Sequence, residues 1–553
     1  MNKSPRRATL PGWSILLTGS LLAGSLVACQ ANPGPAPVEE APPVTAESTE
    51  TPAETTTDTT EPPAAGTADD PITTGRSQVN IGIDPLRNGF NPHLLADDST
   101  LVQDIAALVL PSTFVGNLMN TDLLEDVATV EPPSPAIAQT VRYTLRQEAQ
   151  WSDGTPITGS DFAYLHRSIV ETPGTFNRAG YEAITAIRTS GGGKVVEVDF
   201  SSPVADWQQL FNNLLPSHLI QGVSDGFRTG LYDAIPAAAG RYMVRSIDRQ
   251  RGMVTLARND RFWGANPATV ELLSFHDARS TSRAGEFLRT GQSVFMNLRP
   301  TETLVDTFRL VPGVEVRTSD TDRALRVVLN TASPALATPA RRAGVLELVD
   351  VPLTARLATG RSATLSIAPD TDYRVDGQTG AQEELRELTT TSPLRFAIDP
   401  ADDQAVAAGR VLVDQLAAAG IRAVTVSTDL DSMLGGGVGG GLATGEYDGV
   451  ILRSREAQDP LALADTYGCE LSLSGWCDEQ TEDYLAQLMA GDITFDPEWG
   501  RRLNEEQALY LPIVTETRVE ARTPGIVGPT GDPSAWPGGI ASAANWRKND
   551  IAQ

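Results

Sequence analysis

A serine with the spacing of a hydrolase nucleophile occurs in the stretch Gly222-Val223-Ser224-Asp225-Gly226. In α/β-hydrolases this serine lies on a sharp turn between a strand and a helix, which exposes its hydroxyl to a substrate carbonyl. The flanking sequences LPSHLIQ and FRTGLYD predict neither element convincingly. Paired carboxylates could instead hydrolyse a glycosidic bond, but no pair is singled out by the sequence. We therefore predict a non-enzymatic protein with no catalytic residue.

A glycine-rich stretch at 434–445, LGGGVGGGLATG, has the composition of a phosphate-binding loop. A P-loop also needs a lysine followed by a serine or threonine to reach the phosphates. Because both are missing, we interpret 434–445 as a flexible loop.

Histidine and cysteine, the usual ligands of transition metals, are few. The four histidines are scattered without ligand spacing, and the spacing of Cys469 and Cys477 does not fit a zinc knuckle. We predict neither a metal site nor a cofactor.

The start of the chain is typical of an export signal. Three cations (Lys3, Arg6, Arg7) precede an apolar run that is too short and too interrupted for a comfortable membrane span. The run ends Leu-Val-Ala-Cys29, which resembles the lipobox of bacterial lipoproteins. The resemblance implies a signal peptide over 1–29, a lipid on Cys29 and a location on the extracytoplasmic face of the cell membrane. The alternative is ordinary signal-peptidase cleavage beside an incidental cysteine.

Residues 30–76 are rich in Pro, Thr, Glu and Ala and nearly lack aliphatic side chains. Such a segment cannot bury enough apolar surface to offset the entropy of ordering, so we predict a disordered tether. As a flexible coil it would hold the folded part roughly 40 Å from the bilayer.

The net charge excludes one class of partner. The formal charge is −27, and it becomes −30 once the three cations of the signal peptide are removed. Nucleic acid requires a basic footprint on the protein, so we predict no nucleic-acid partner.

In the oxidising compartment that the signal peptide predicts, Cys469 and Cys477 favour a short-range disulfide. Such a bond would restrict the movement of a surface loop.

About 475 residues follow the tether, which is more than one hydrophobic core normally serves, so we expect at least two lobes. The clearest local unit covers 393–429 and reads as strand, helix and strand. Val406, Val413 and Leu416 mark one side of the helix, and Gly420 marks its end. This pattern predicts a β-α-β crossover.

A second local pattern, TLRQEAQWSDGTPITGSDFAYL, predicts a strand, a turn, and a helix capped by Thr158, Ser160 or Asp161. It also resembles the signature of the family 5 extracellular solute-binding proteins, the peptide, dipeptide and nickel receptors of ABC importers. The residues that match are Leu145, Arg146, Trp151, Asp153, Gly154, Pro156 and Asp161.

Further phrases of that family follow in the same order along nearly the whole chain after the tether. They are LLPSHLI around Pro216 and His218, RNDRFW with Arg258, Asn259, Phe262 and Trp263, VVLNT with Asn330, the β-α-β unit, and the pair Asp459-Pro460.

The resemblance implies an α/β, two-lobed periplasmic-binding-protein-like fold, of the large cluster C type, with a hinge and an interlobe cleft. We expect lobe I to comprise 77–270 plus 500–553, and lobe II to comprise 271–499. The resemblance also implies a peptide or small solute in the cleft and ABC permease subunits as partners.

Peptide-binding relatives carry an acidic and aromatic run whose aspartate pairs with the peptide ammonium. Here the run reads LRSREAQDP, so Asp459 keeps the Asp-Pro place while Arg453 and Arg455 replace aromatic or acidic residues. The arginines could pair with Asp459 or favour an anionic ligand. Equally, Asp459 could be a turn residue before Pro460, with both arginines on the solvated surface.

Among the tryptophans, Trp476 is the strongest candidate for a residue lining the cleft, because the disulfide would hold its loop near Asp459. The alternative is that it packs in the core.

Residues 89–114 resemble a divergent branch of the same fold, the LpqW-type lipoproteins of mycolate-walled bacteria. This second resemblance implies regulation of phosphatidylinositol mannoside and lipoarabinomannan synthesis without import. The partner would then be a mannolipid or its biosynthetic enzymes.

Overall fold

The structure is a computed structural model, and it describes residues 77–369, 371–377, 379–434, 442–528 and 538–549. The predicted signal peptide, Cys29 and the tether over 30–76 lie outside these residues, as does most of the glycine-rich stretch. In the part that is described, no helix is long and apolar enough to cross a membrane.

The strands of the described residues are β1 (Gln78–Ile83), β2 (Phe114–Val115), β3 (Leu118–Met119), β4 (Leu124–Val130), β5 (Gln139–Leu145), β6 (Ile184–Ser190), β7 (Val195–Phe200), β8 (Tyr242–Asp248), β9 (Met253–Arg258), β10 (Leu272–Asp277), β11 (Phe295–Leu298), β12 (Glu315–Leu329), β13 (Leu394–Ile398), β14 (Ala423–Ser427), β15 (Gly449–Arg455), β16 (Tyr510–Arg522), β17 (Ile526–Val527) and β18 (Arg547–Lys548).

The α-helices of the same ranges are α1 (Thr100–Val109), α2 (Gly159–Glu171), α3 (Arg178–Glu182), α4 (Ser217–Ile220), α5 (Gly226–Thr229), α6 (Thr281–Arg289), α7 (Leu304–Arg309), α8 (Pro339–Leu346), α9 (Val351–Thr359), α10 (Ala381–Thr391), α11 (Asp403–Ala418), α12 (Leu430–Leu434), α13 (Pro460–Tyr467), α14 (Glu479–Ala490) and α15 (Trp499–Gln507).

Ten of the strands form one mixed sheet in the order β14-β13-β15-β12-β16-β11-β1-β10-β9-β8. Strand β1 runs parallel to β10 and β11, and β13 runs parallel to β14 and β15, whereas β12 and β16 pair antiparallel with each other. A separate four-stranded antiparallel sheet has the order β4-β5-β7-β6. The mixture of parallel crossovers and helices is the predicted α/β class.

The hydrophobic core is divided into clusters, and β12 and β16 take part in the second and third of them. The largest cluster draws on residues from Val79 to Phe275 and on the returning tail, including Ile540 and Trp546. A second cluster draws on 325–514, and a third, smaller one contains Val519 and Ala521 of β16. Strand β16 therefore begins in the second cluster and ends in the third.

The β-α-β crossover over 393–429 is confirmed. Strands β13 and β14 are parallel neighbours, and α11 between them is followed by Gly420 with a φ of +83°, a conformation that suits glycine. The buried face of α11 differs in detail from the predicted one. It consists of Ala405, Ala408, Gly409, Leu412 and Leu416, whereas Val406 and Val413 of the predicted face are only half-buried.

The stretch around Trp151 forms the predicted strand, turn and helix, and its polar residues stabilise it. Asp153 accepts a hydrogen bond from the Thr155 N–H at 2.9 Å, and Gly154 has a φ of +94°. Thr158 is the N-cap of α2, and the Asp161 carboxylate accepts a hydrogen bond from the Thr158 N–H, which completes a capping box.

Asp161 also fixes the segment that follows the four-stranded sheet. Its carboxylate accepts hydrogen bonds from the Ser217 hydroxyl at 2.7 Å and from the Ser217 N–H at 3.2 Å. The indole of Trp151 is fully buried, and its ring centroid lies 6.3 Å from that of His218. The motif thus holds α2 against the start of α4.

We expect Asp161→Ala to lower the free energy of unfolding by about 3 kcal/mol, because two buried donors of Ser217 and the partly buried Thr158 N–H lose their acceptor. Urea denaturation of the full chain measures this. Asp153→Ala is the control, since the Asp153 to His218 pair is partly exposed, and it should cost less than about 1 kcal/mol. Equal losses for both variants would contradict this role for Asp161.

Candidate functional site

A cavity of about 280 Å³ lies between the loop after α2, helix α13 and strands β12, β15 and β16. Three segments supply its polar wall: the loop 174–178 after α2, the end of β15 at 454–456, and one face of α13. The residues of α13 and its cap that line it are Asp459, Ala462, Asp465 and Thr466. Tyr467 and Tyr510 add aromatic surface.

Asp98 and two arginines form the principal ionic contact at this place. The Asp98 carboxylate receives hydrogen bonds from Arg323 at 2.8 and 2.9 Å and from Arg455 at 2.6 Å, and only 4% of its side chain is exposed. Burial alone would raise the pKa of Asp98, but Arg455 and Arg323 hold it below the usual range. We call these three residues the Asp98 triad.

The Asp98 triad separates the cavity from a second one of about 140 Å³. Asp98 borders the smaller cavity and Arg455 borders the larger one. Arg455 also lies against the Phe176 ring, with its guanidinium carbon 4.1 Å from the ring centroid. The predicted residue Arg455 therefore lines the candidate site, but its charge is already paired.

Arg453 lies on the other side, in the smaller cavity. It forms an ion pair with Asp402 at 3.0 Å, and Arg87 reaches the same carboxylate at 3.3 Å. Although burial raises the pKa of Asp402, these arginines lower it below its usual range. Arg453 thus does not meet Asp459, and the two arginines of LRSREAQDP serve different cavities.

Asp459 is the N-cap of α13, and its side chain accepts a hydrogen bond from the Ala462 N–H at 2.9 Å. Helix capping is thus one role of this residue. The negative charge of Asp459 affects two other carboxyl groups. Burial and, to a smaller extent, Asp459 raise the pKa of Asp206. Burial raises the pKa of Asp465 to about 7, and Asp459 adds to that rise. Asp459, Asp206 and Asp465 form an acidic corner.

Asp465 also connects two helices. Its carboxylate accepts hydrogen bonds from the Ala179 N–H at 2.9 Å and from the Arg178 N–H at 3.3 Å, at the start of α3. These hydrogen bonds lower the pKa of Asp465, but burial dominates. Sequence analysis did not identify Asp465, although its i, i+3 spacing from the lining residue Ala462 places it on the same helix face.

Arg326 is another cavity residue that sequence analysis missed. It interrupts the apolar run ALRVVL in β12, is only 6% exposed, and lies with its guanidinium carbon 5.3 Å from the Tyr510 ring centroid. Its position could have been recognised in the sequence, because a charged residue is unusual inside a strand of apolar residues.

Trp476 is half-buried and packs against the cluster formed by α13, α14 and α15. It is not among the residues that line the two cavities. Cys469 and Cys477 are joined by a disulfide in the same region.

Ser224 lies in the turn between α4 and α5, so a helix precedes it instead of the strand that a nucleophile elbow requires. Among the described residues, no group of three or more His, Cys, Asp or Glu side chains is placed to hold a metal ion.

Residues 136–450 match the family described as bacterial extracellular solute-binding proteins, family 5 Middle. The "Probable monoacyl phosphatidylinositol tetramannoside-binding protein LpqW" of Mycobacterium tuberculosis (strain ATCC 25618 / H37Rv) is 32% identical over 369 residues, which cover 64% of this chain and 53% of that protein. The chain thus spans about half the length of this relative.

The "Oligopeptide-binding protein OppA" of the same strain is 34% identical over 134 residues, which cover 23% of each chain. Among solved structures, the oligopeptide-binding protein AppA from Bacillus subtilis, in complex with a nonapeptide, superposes with a TM-score of 0.64. That match has 11% sequence identity and covers 86% of this chain and 100% of AppA. The predicted two-lobed binding-protein fold is thereby confirmed.

We expect Asp98→Asn to lower the free energy of unfolding by about 3 kcal/mol at pH 7, because the buried Arg323 and the partly buried Arg455 lose their shared counter-charge. The pKa of Asp98 is lowered in the folded state, so its contribution is present above the carboxyl's unfolded pKa. It is lost as the pH falls toward the folded value. Urea denaturation at pH 7 and in acid measures both effects.

The control variant is Asp322→Asn, which removes a neighbour of Arg323 whose side chain is 40% exposed. Its cost should stay below about 1 kcal/mol. The assignment fails if Asp98→Asn is no more costly than this control.

Proposed function

This chain belongs to family 5 of the bacterial extracellular solute-binding proteins, and on that premise we propose that it is a lipid-anchored receptor of an ABC importer. It takes a peptide or a related small solute into the cavity beside Asp459 and delivers it to permease subunits. It works on the extracytoplasmic face of the cell membrane, without catalysis, cofactor or nucleic acid.

The observation that supports a peptide ligand is the acidic corner. Burial raises the pKa of Asp206 and of Asp465, and the nearby Asp459 charge adds to both rises. A peptide ammonium at Asp459 would relieve this repulsion and form a charge-assisted hydrogen bond. The Asp459 oxygen that caps α13 leaves the second carboxylate oxygen available for that contact.

The cavity volume limits the ligand. About 280 Å³ is at the lower end of small-molecule sites, so a short peptide or one polar part of a larger ligand fits the closed arrangement. We propose that lobe I (77–270 plus 500–553) and lobe II (271–499) move apart to admit it. Strands β12 and β16, which take part in the second and third core clusters, are then the hinge.

A second candidate is a lipoglycan regulator that binds a phosphatidylinositol mannoside and acts on its biosynthetic enzymes without import. The observation that favours it is the extent of similarity, which covers 64% of this chain for LpqW and 23% for OppA. In addition, Arg453 and Arg455 stand where peptide-binding relatives have aromatic or acidic residues, and they are paired with Asp402 and Asp98.

The first prediction of the receptor proposal is that the protein, purified from its own cell envelope without refolding, carries a series of peptides. Native mass spectrometry identifies them by the mass that leaves the protein. Asp459→Asn should retain at least about tenfold less peptide, because asparagine also caps helices but cannot pair with an ammonium.

Asp478→Asn provides the matched control. Asp478 caps α14 by accepting a hydrogen bond from Thr481 and does not line the cavity, so its peptide load should equal that of the wild type. A mannolipid in place of peptides would favour the regulator, and an empty wild-type protein that also ignores a peptide mixture would contradict the receptor.

The anchor is tested separately at Cys29. Cells labelled with radioactive palmitate should incorporate label into the wild-type protein, and Cys29→Ser should remove both the label and membrane retention. The double variant Cys469→Ser/Cys477→Ser should keep the label, because these are the other two cysteines of the chain. A wild-type protein without label would refute lipidation.

A further inference from the structure

Arg326 differs from the other deeply buried arginines. Five arginines of the described residues are less than a tenth exposed: Arg323, Arg326, Arg342, Arg361 and Arg518. Four of them donate hydrogen bonds, to Asp98, to the Gln507 carbonyl, to the Thr364 carbonyl and to Asn297 respectively. Arg326 has no hydrogen bond or ion pair with any described residue, and its Nε is buried without an acceptor.

The neighbours of Arg326 in the sheet do not compensate its charge. Leu452 of β15 and Pro512 of β16 lie opposite it, and neither side chain has an acceptor. An arginine remains charged at any physiological pH. A buried guanidinium without a counter-charge is costly, so a protein that keeps one at a cavity wall must gain from it elsewhere.

Among the described residues, no carboxylate of the same cavity forms a hydrogen bond or an ion pair with Arg326. Asp459 caps α13, Asp465 accepts the N–H groups that begin α3, and Asp322 pairs with Arg323. Glu456, the fourth acidic residue of the lining, is exposed at the end of β15. Within the ranges that the structure describes, no carboxylate therefore supplies the counter-charge of Arg326.

The walls around Arg326 suit a ligand. The Tyr510 ring lies beside the guanidinium, and the hydroxyls of Ser472 and Ser474, also in the lining, are 2.8 Å apart. One of those two hydroxyls donates to the other, which leaves the second proton for a further acceptor.

We propose that Arg326 binds an anionic oxygen group of the ligand, a carboxylate or a phosphate, at the wall of the 280 Å³ cavity formed by β12 and β16. This subsite rests on the proposed function, in that it needs the cavity to be the ligand site. The planar guanidinium can donate two parallel hydrogen bonds to either group. The subsite makes the receptor selective for anionic ligands.

The experiment compares probes that differ only in this group, using the full chain and calorimetry. One pair is tri-alanine and its C-terminal amide, and the other is inositol 1-phosphate and inositol. The wild type should prefer the anionic member of one pair by about 30-fold. Preference within the first pair identifies a carboxylate ligand, and preference within the second identifies a phosphate.

Arg326→Gln should reduce that preference to about twofold or less, and Arg326→Lys should keep part of it, because lysine retains the charge but not the paired donors. Arg309→Gln is the control, since Arg309 is 66% exposed on α7, and it should keep the full preference.

Thermal unfolding without ligand separates binding from a structural role. Removing an uncompensated charge should leave the Tm of Arg326→Gln equal to or above that of the wild type. A lower Tm with an unchanged preference would mean that Arg326 only packs on Tyr510, which overturns the proposal. It is also overturned if the wild type prefers neither anionic probe. If the wild type retains a co-purified ligand that Arg326→Gln retains equally, the receptor function stands and the subsite alone falls.

Discussion

The arrangement of this protein depends on one buried carboxylate, Asp98, shared between two guanidinium groups. Asp98 belongs to the segment that leads from the first strand into α1, whereas Arg323 and Arg455 belong to adjacent strands β12 and β15. Their ion pairs tie the segment before α1 to β12 and β15 of the ten-stranded sheet, and the Asp98 carboxylate is only 4% exposed. An ion pair in such a place is costly to break, so it determines how the two regions meet.

The Asp98 triad also determines which charges are left for a ligand. Asp98 and Asp322 together balance the two positive charges of Arg323 and Arg455, so these arginines add little net charge to the larger cavity. Arg453 adds no charge to the larger cavity, because it pairs with Asp402 in the smaller one. What remains is an acidic corner at Asp459 and one uncompensated guanidinium at Arg326. A cavity with these two features is complementary to a ligand that carries charge of both signs, as a short peptide does.

The features that could be predicted from the sequence are those that depend on local spacing. The β-α-β unit over 393–429 and the capped helix after Trp151 each follow from residues within a few turns of one another. The site could not be predicted in this way, because its contacts join distant segments. Asp98 lies 225 positions from Arg323 and 357 from Arg455. The same limit applies to LRSREAQDP. Its spacing places Arg453, Arg455 and Asp459 close in sequence. In the fold, Arg453 pairs with Asp402, Arg455 pairs with Asp98, and Asp459 caps α13.

The central claim is that the cavity beside Asp459 and Arg326 is where the ligand binds. The most direct measurement is a crystal structure of the protein purified from its own cell envelope without refolding. The account predicts electron density for a solute in this cavity, with oxygen atoms of an anionic group within hydrogen-bond distance of the Arg326 guanidinium. A cavity that contains only water, with a ligand bound elsewhere on the protein, would contradict it.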